Sequence, residues 1–597
     1  MTPDVMTVLA ILGFTIVMLL FDILRIDLVA ILCMLLLGWT GILTAPETFS
    51  GFSGNAVISM MAVMMLGHGI SKTGIMDRFS REILRRFGSG RTRIVGVMSL
   101  AVGLLSGFIQ NIGAVALFLP GILNISRREK IPAASLVMPI GFAAILGGTL
   151  SMVGSGPMIL INDLIRQEGH APFRLVSVTP IGIILLAASI VYFLLLGKHV
   201  LPGFKSTEAE TSDQEKLIEA FHLPHAVQYY IIPQNSALVG MTPEQSGAWN
   251  RFNVNILAAA SKRSVAFAPW RMMKLEDGQV VALMGNEDNI RKFAEAFGLT
   301  ISEPMNDFFG LGDPDRSGFA EVIIPPRSEL VGMTIRRYSI RKRFAVEPIM
   351  MFSRGEEIHG DFSDLEIRSG DTIIVYGLWE KIAELKQSPD YVVTTPFSAH
   401  AENPSKSWVA SGCFLFAIGL ALLGFPISLA FFTGAVAMVL LRVLTIQEAY
   451  QSIEWKVVFL LAGLIPLGAA MQKTGAADFL ANQVMVLVQG SHPIVLVMTV
   501  AVMSTLFSLL ISNVGAVIVL APLVMSMARL GGIDPRTMAL MAAVCTANSF
   551  VLPTHQVNAL LMASGGYRNA DYLKAGVGLT VLFLAIVVSI FYFFYLK

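Results

Sequence analysis

Twelve apolar runs fall into two groups of six, one on each side of a charged block. They lie near 5–24, 26–44, 54–73, 94–126, 133–161 and 176–197, and again near 408–424, 426–445, 455–472, 492–528, 536–564 and 572–596. A helix crossing a bilayer needs about 17–25 apolar residues. The pattern therefore specifies a polytopic α-helical membrane protein and excludes an ordinary soluble enzyme. Charge follows the same division. Between 207 and 397 stand 46 charged residues, close to the density of a soluble domain, whereas the other 406 residues hold 39. A soluble insert thus separates two membrane halves.

The net charge of +1 argues against a nucleic-acid partner. Cys33, Cys413 and Cys545 lie far apart in apolar runs and read as small buried hydrophobes. The N-terminal run has neither a basic leader nor a small-residue cleavage site, so it reads as a first span.

The runs 94–126 and 492–528 are too long for one span, and each has a polar interruption: Gln110-Asn111-Ile112-Gly113 and Ser512-Asn513-Val514-Gly515. A re-entrant hairpin fits both, with its tip lining an internal cavity, because irregular backbone survives in a bilayer only where protein or water covers it. A plain twelve-helix bundle is the alternative. Arg78, Arg81, Arg85, Arg86, Arg91 and Arg93 precede the first hairpin, and Arg127, Arg128 and Lys130 follow it. By the positive-inside rule both its ends are cytoplasmic, and counting spans to Lys198 and Lys205 puts the insert in the cytoplasm too.

The halves resemble each other. Gly69-Ile-Ser-Lys-Thr-Gly74 faces Ala470-Met-Gln-Lys-Thr-Gly475, and at an offset of 402 Asn111, Gly113, Pro120 and Arg127 fall on Asn513, Gly515, Pro522 and Arg529. Five full spans plus one hairpin per half is an odd number of crossings, so the halves insert with opposite topology. Inverted repeats of this kind belong to secondary transporters, whose sites lie on broken helices. Two further segments should unwind at Gly and Pro: Gly147–Pro157 and Asn548–Asn558.

None of these four segments holds Arg, Lys, Asp or Glu. Their amides, hydroxyls, carbonyls and helix ends suit Na⁺ and an anion whose charge the cations offset. Gln110, Asn111, Gly113, Ser512, Asn513, Gly515 and Asn558 are the candidate cation ligands. Asn111, Gly154, Ser155, Ser512, Asn513, Pro553 and Thr554 are the candidate substrate ligands. His555 is the best proton-carrying candidate, with a cavity histidine serving only as a hydrogen-bond donor as the equal alternative, and Lys72 and Lys473 end their spans as if snorkelling to the interface.

The runs Leu24–Ala30, Thr40–Thr44 and Gly51–Val57, with Ser549-Phe550-x-x-Pro553-Thr554, resemble the divalent anion:sodium symporter family. Asn111, Asn513 and Ser512 match that family's tip residues, although Ile112-Gly113 and Val514-Gly515 stand where it has threonine. The resemblance implies a homodimeric plasma-membrane carrier that takes up a small divalent anion with Na⁺. Sulfate or a related oxyanion is favoured over a C4-dicarboxylate or citrate. A channel gated by the insert and a non-transporting anion sensor are the rivals from other classes.

Within the insert, 223–298 and 317–390 repeat at an offset of 92, with Ser236-Ala-Leu-Val-Gly240-Met-Thr242 on Ser328-Glu-Leu-Val-Gly332-Met-Thr334. The pair resembles tandem TrkA-C regulatory domains, small α/β units with alternating apolar strands. No GxGxxG follows a strand there, which argues against NAD; no cofactor is expected, and an unknown small ligand on these domains is possible. The expected organisation is 1–198 (first repeat, hairpin 94–126), 199–222 (linker), 223–298, 317–390, 391–406 (linker) and 407–597 (second repeat, hairpin 492–528).

Overall fold

The computed structural model describes residues 2–21, 23–75, 90–129, 131–202, 213–224, 226–261, 265–270, 272–302, 310–313, 316–354, 356–359, 362–395, 406–488 and 491–595. Arg78, Arg81, Arg85, Arg86, Lys130 and Lys205 lie outside them, as do 203–212 and 396–405 of the two linkers. Two units form: 1–205 with 402–597, and 206–401.

The first unit is helical throughout. Among the described residues, seven helices are long and apolar enough to cross a membrane: Pro3–Leu20, Ala45–Lys72, Thr179–Val200, Trp455–Thr474, Pro493–Leu510, Asn513–Leu530 and Asn569–Phe594. Shorter apolar helices stand between them. The two long runs each make a helical hairpin: Arg91–Ser106 with Asn111–Arg128, and Pro493–Leu510 with Asn513–Leu530. The two Gly/Pro segments interrupt helices where the chain cannot continue the ladder. Val137–Gly147 stops and Gly156–Gln167 begins; Pro535–Cys545 stops and Gln556–Gly565 begins. All three cysteines are buried.

The halves interlock reciprocally. Ile26–Trp39 packs on Trp455–Thr474, and Ile427–Leu440 packs on Asn55–Lys72. At Gly463 a Cβ would come within 2.6 Å of the Ala30 carbonyl, so only glycine admits the close approach. Charge ties the same elements. Lys72 Nζ lies 2.6 Å from Glu448, and Lys473 Nζ lies 2.8 Å from Glu47. Each glutamate also closes a capping box, Thr44 with Glu47 and Thr445 with Glu448. Every member recurs 401 residues later in the other half. Lys72 and Lys473 are therefore cross-half ion-pair partners, and snorkelling does not describe them.

In the insert, β1 (Ala226–Ile231), β2 (Asn255–Ala260), β3 (Val265–Phe267), β4 (Val280–Gly285) and β5 (Thr300–Ile301) form an antiparallel sheet ordered β3-β2-β4-β1-β5. Strands β6 (Ser317–Ile323), β7 (Glu347–Ser353), β8 (Glu356–His359), β9 (Thr372–Leu378) and β10 (Val392–Val393) repeat it as β8-β7-β9-β6-β10. The copies agree at an offset of 92. Left-handed Gly240, Gly247, Asn253 and Gly278 recur as Gly332, Ser339, Ala345 and Gly370. The register slip after Ile256 recurs after Pro348.

The sheets pack face to face through Leu257, Ala258, Met284, Phe319, Met350 and Ile374. Their outer faces are covered by the helices Glu287–Ala296 and Trp379–Gln387. Strands β2 and β4 are consequently buried along their whole length, so β4, and β2 after Asn255, carry continuous apolar runs where alternation was expected. Residues 213–220, expected in the linker, form a helix whose Gln214 bonds both the amide and the carbonyl of Phe319 at 2.7 Å. That amide stands in for a neighbouring strand where β10 does not reach.

The capping box and ion pair at Glu448 can be separated by substitution. Glu448→Gln keeps an N3 acceptor but loses the charge that holds Lys72, at a cost of up to about 1 kcal/mol. Glu448→Ala loses the cap as well, adding about 1 kcal/mol. The thermal midpoint of the detergent-solubilised protein should fall in the order wild type, Gln, Ala; equal midpoints for Gln and Ala would remove the capping role.

Candidate functional site

The two hairpin tips are built alike. In the first, Ser106 ends one arm, Gly107–Gln110 turn, and Asn111 opens the other. The Ser106 hydroxyl donates to Asn111 Oδ1 at 2.8 Å. In the second, the Ser508 hydroxyl lies 2.8 Å from Asn513 Oδ1. Ser512 caps the return helix, its Oγ accepting from Gly515 N at 3.1 Å. Ser106, Asn111 and Ser508 are all buried, so the first turn and the base of the second lie inside protein rather than at its surface.

Each tip is fastened to the broken helix of its own half. The Ser151 hydroxyl donates to the Gly107 carbonyl. The Ser508 hydroxyl reaches the Thr546 carbonyl at 2.6 Å, sharing its one proton with Asn513. Freed carbonyls must be bonded where no water reaches, and serine meets that need at the turn of the first hairpin and at the second break. Glycine makes room for the approach. A Cβ on Gly148 would come 2.5 Å from Asn111 Oδ1, and one on Gly154 would come 2.7 Å from the Gly148 carbonyl. Contact also crosses between halves. A Cβ on Gly156 would meet Val514 of the second tip at 2.8 Å.

The second break is the richer in polar groups. Asn548 Nδ2 donates to Thr505 Oγ1 at 3.3 Å and its Oδ1 accepts from Thr580 at 2.9 Å. Asn558 Nδ2 donates to the Ser549 carbonyl at 2.7 Å, and Tyr572 donates to the Asn558 carbonyl at 2.8 Å. Two atoms remain: Asn558 Oδ1 and Ser549 Oγ are fully buried with no hydrogen-bond partner. Buried acceptors without donors are costly, and each is an oxygen that a cation could take as a ligand.

Not every expected ligand sits in this arrangement. Gln110 Nε2 lies 2.8 Å from the Met60 sulfur, and an added Cβ on Gly113 would meet only Ile109 at 3.6 Å. Ser155 stands extended at the start of Gly156–Gln167, Pro553 is half-buried and Thr554 is exposed. His555 Nδ1 accepts from Val557 N at 3.1 Å, a helix-capping bond that occupies the nitrogen a proton carrier would need.

Sequence reasoning missed Ser106 and Ser508, although both precede their asparagine by five residues at the same 402-residue offset. It also missed Asp163. This buried carboxylate lies just beyond the first break and accepts from Ala56 N at 2.6 Å, at the start of Asn55–Lys72. The helix N-terminus balances its charge.

Comparison with known proteins gives the family. The uncharacterized transporter YfbS of Escherichia coli (strain K12) is 26% identical over 98% of both chains. An uncharacterized transporter of Synechocystis is 28% identical over 96% of this chain and 94% of its own. Sodium/sulfate cotransporter 1 of Chlamydomonas reinhardtii is 23% identical over 56% of this chain and 39% of that protein. The family model described as citrate transporter (CitMHS) matches residues 16–545. This multi-pass membrane protein is thus a transporter rather than an enzyme, and it belongs to the CitMHS citrate transporter family.

Proposed function

We propose that the chain is a secondary active carrier that takes up a small divalent anion, sulfate or a related oxyanion, with Na⁺ across the plasma membrane. The observation that carries the reading is the two orphaned oxygens of the second break, Asn558 Oδ1 and Ser549 Oγ. Carbonyl, amide and hydroxyl oxygens are the ligands a hard monovalent cation takes. The tips and breaks hold no fixed cationic side chain, so bound Na⁺ and helix N-termini would offset a dianion. Three relatives named as sodium/sulfate cotransporters support sulfate.

The two halves act as inverted repeats, five spans and a re-entrant hairpin each, and a hairpin-bearing bundle rocks against the rest in alternating access. The insert faces the cytoplasm as a tandem TrkA-C-like regulator, and the carrier is a homodimer. Asn111 and Asn513 position the tips through their serines, with Ser512, Gly515, Gly154 and Ser155 supplying backbone or hydroxyl contacts. A citrate or C4-dicarboxylate substrate is the second reading, favoured by the family's description.

Purified protein in proteoliposomes with an inward Na⁺ gradient should accumulate radiolabelled sulfate, competed by thiosulfate and not by succinate or citrate. Accumulation of citrate or succinate instead would establish the second reading. No gradient-driven accumulation of any of these anions would overturn both.

Ser549→Ala offers a cleaner test of the cation site than any tip variant, because the hydroxyl it removes has no partner to lose. A packing role predicts unchanged kinetics. A cation ligand predicts a half-saturating Na⁺ concentration raised about tenfold, about 1.4 kcal/mol, at unchanged expression.

A further inference from the structure

The insert carries a second polar site, apart from the membrane segments. Where the interface between its two sheets opens, a cavity of about 110 Å³ is lined by Glu244, Trp249, Asn255, Arg336, Arg341 and Glu347. These residues are related by the 92-residue repeat. Glu244 corresponds to Arg336, Trp249 to Arg341 and Asn255 to Glu347. Arg336 Nη1 lies 3.1 Å from Glu244 Oε1, so this ion pair joins two equivalent positions and crosses the axis that relates the copies. Arg336 also binds Asp364.

The copies differ at the deeper position. In the second, Arg341 grips Glu347 with two parallel bonds, Nε to Oε2 at 2.8 Å and Nη2 to Oε1 at 2.7 Å. In the first, tryptophan replaces that arginine. Asn255 is left 93% buried, on the cavity wall, with no acceptor for its Nδ2. A buried donor without an acceptor is rare and unfavourable, and an occupant that brings an acceptor relieves it.

The lining also selects by charge. Two carboxylates and two guanidiniums line the cavity, paired as Glu244–Arg336 and Glu347–Arg341, so neither a simple anion nor a simple cation is complementary to the whole. A molecule carrying both signs is. Trp249, Pro243 and Pro269 give it an apolar wall, and the volume suits something of amino-acid size.

We infer that this cleft binds a small zwitterion of the amino-acid class, its carboxylate accepting from Asn255 and facing Arg341, its ammonium group facing Glu347 and Glu244. The site lies at the junction of the two repeated domains, so occupancy fastens one to the other. This is independent of which anion the membrane unit carries.

Thermal unfolding of the full-length protein in detergent tests this, with each of the twenty L-amino acids at 10 mM and with sodium sulfate at matched ionic strength. At least one amino acid should raise the midpoint by several degrees. That shift should vanish in Asn255→Leu and in the isosteric Asn255→Asp, which turns the donor into a carboxylate. The second variant guards against a folding defect in the first. No shift with any amino acid, a shift that survives in both variants, or stabilisation by sulfate alone that both variants abolish would overturn the inference.

Discussion

A backbone carbonyl released inside hydrocarbon has no water to bond, and that constraint shapes the membrane unit more than any single packing contact. Two helices break at mid-course, at 148–155 and 546–555, and each break frees carbonyls and amides that an intact helix would have used. The fold answers with hydroxyls from the hairpin side and from the break itself. Ser508 reaches the Thr546 carbonyl, and Ser151 reaches the Gly107 carbonyl. Tips and breaks are thus held by the bonds that make the breaks tolerable. A tip cannot shift without unbonding a carbonyl, its own Gly107 in the first half and Thr546 of the break in the second, so each hairpin and its broken helix form one mechanical element.

The chain states some of this plainly and hides the rest. Gly and Pro punctuation marks both breaks because those residues alone accept or force a lapse in the helical ladder, and the polar tips interrupt otherwise apolar runs. Hydropathy marks the spans for the same reason: length and transfer energy are properties of a segment taken alone. Partners are another matter. The approach of Lys72 to Glu448, 376 residues away, depends on how the halves interlock, and a lysine at a span's end looks the same whether it snorkels or pairs. Asp163 looks like an interior acid until the N-terminus of Asn55–Lys72 is seen to meet it. Strands β2 and β4 lost their expected alternation because a second sheet covers the face a lone sheet would leave to water.

Duplication explains why so much is held with so few kinds of contact. One capping box, one lysine and one serine–asparagine pair serve each half, and the lysine pairs across halves instead of within one. Cross-pairing makes the halves mutually dependent: neither glutamate meets its lysine unless the other half is folded beside it. The insert follows a different rule. Its two copies share an apolar interface, so burial joins them, and among the described residues the ion pair Arg336–Glu244 crosses between them at the cavity.

Divergence between copies then marks where function has been added to a shared scaffold. Asn548, Ser549 and Asn558 enrich the second break, and both unpartnered oxygens found at the two breaks lie there. In the insert, Trp249 stands opposite Arg341, and the buried donor at Asn255 goes unanswered as a result. A duplicated scaffold satisfies its own polar groups twice over by repeating the same bonds. A group left unsatisfied in one copy only is therefore not a property of the scaffold. Stability alone would replace such a group with an apolar side chain, so its persistence is best explained by something that arrives to meet it.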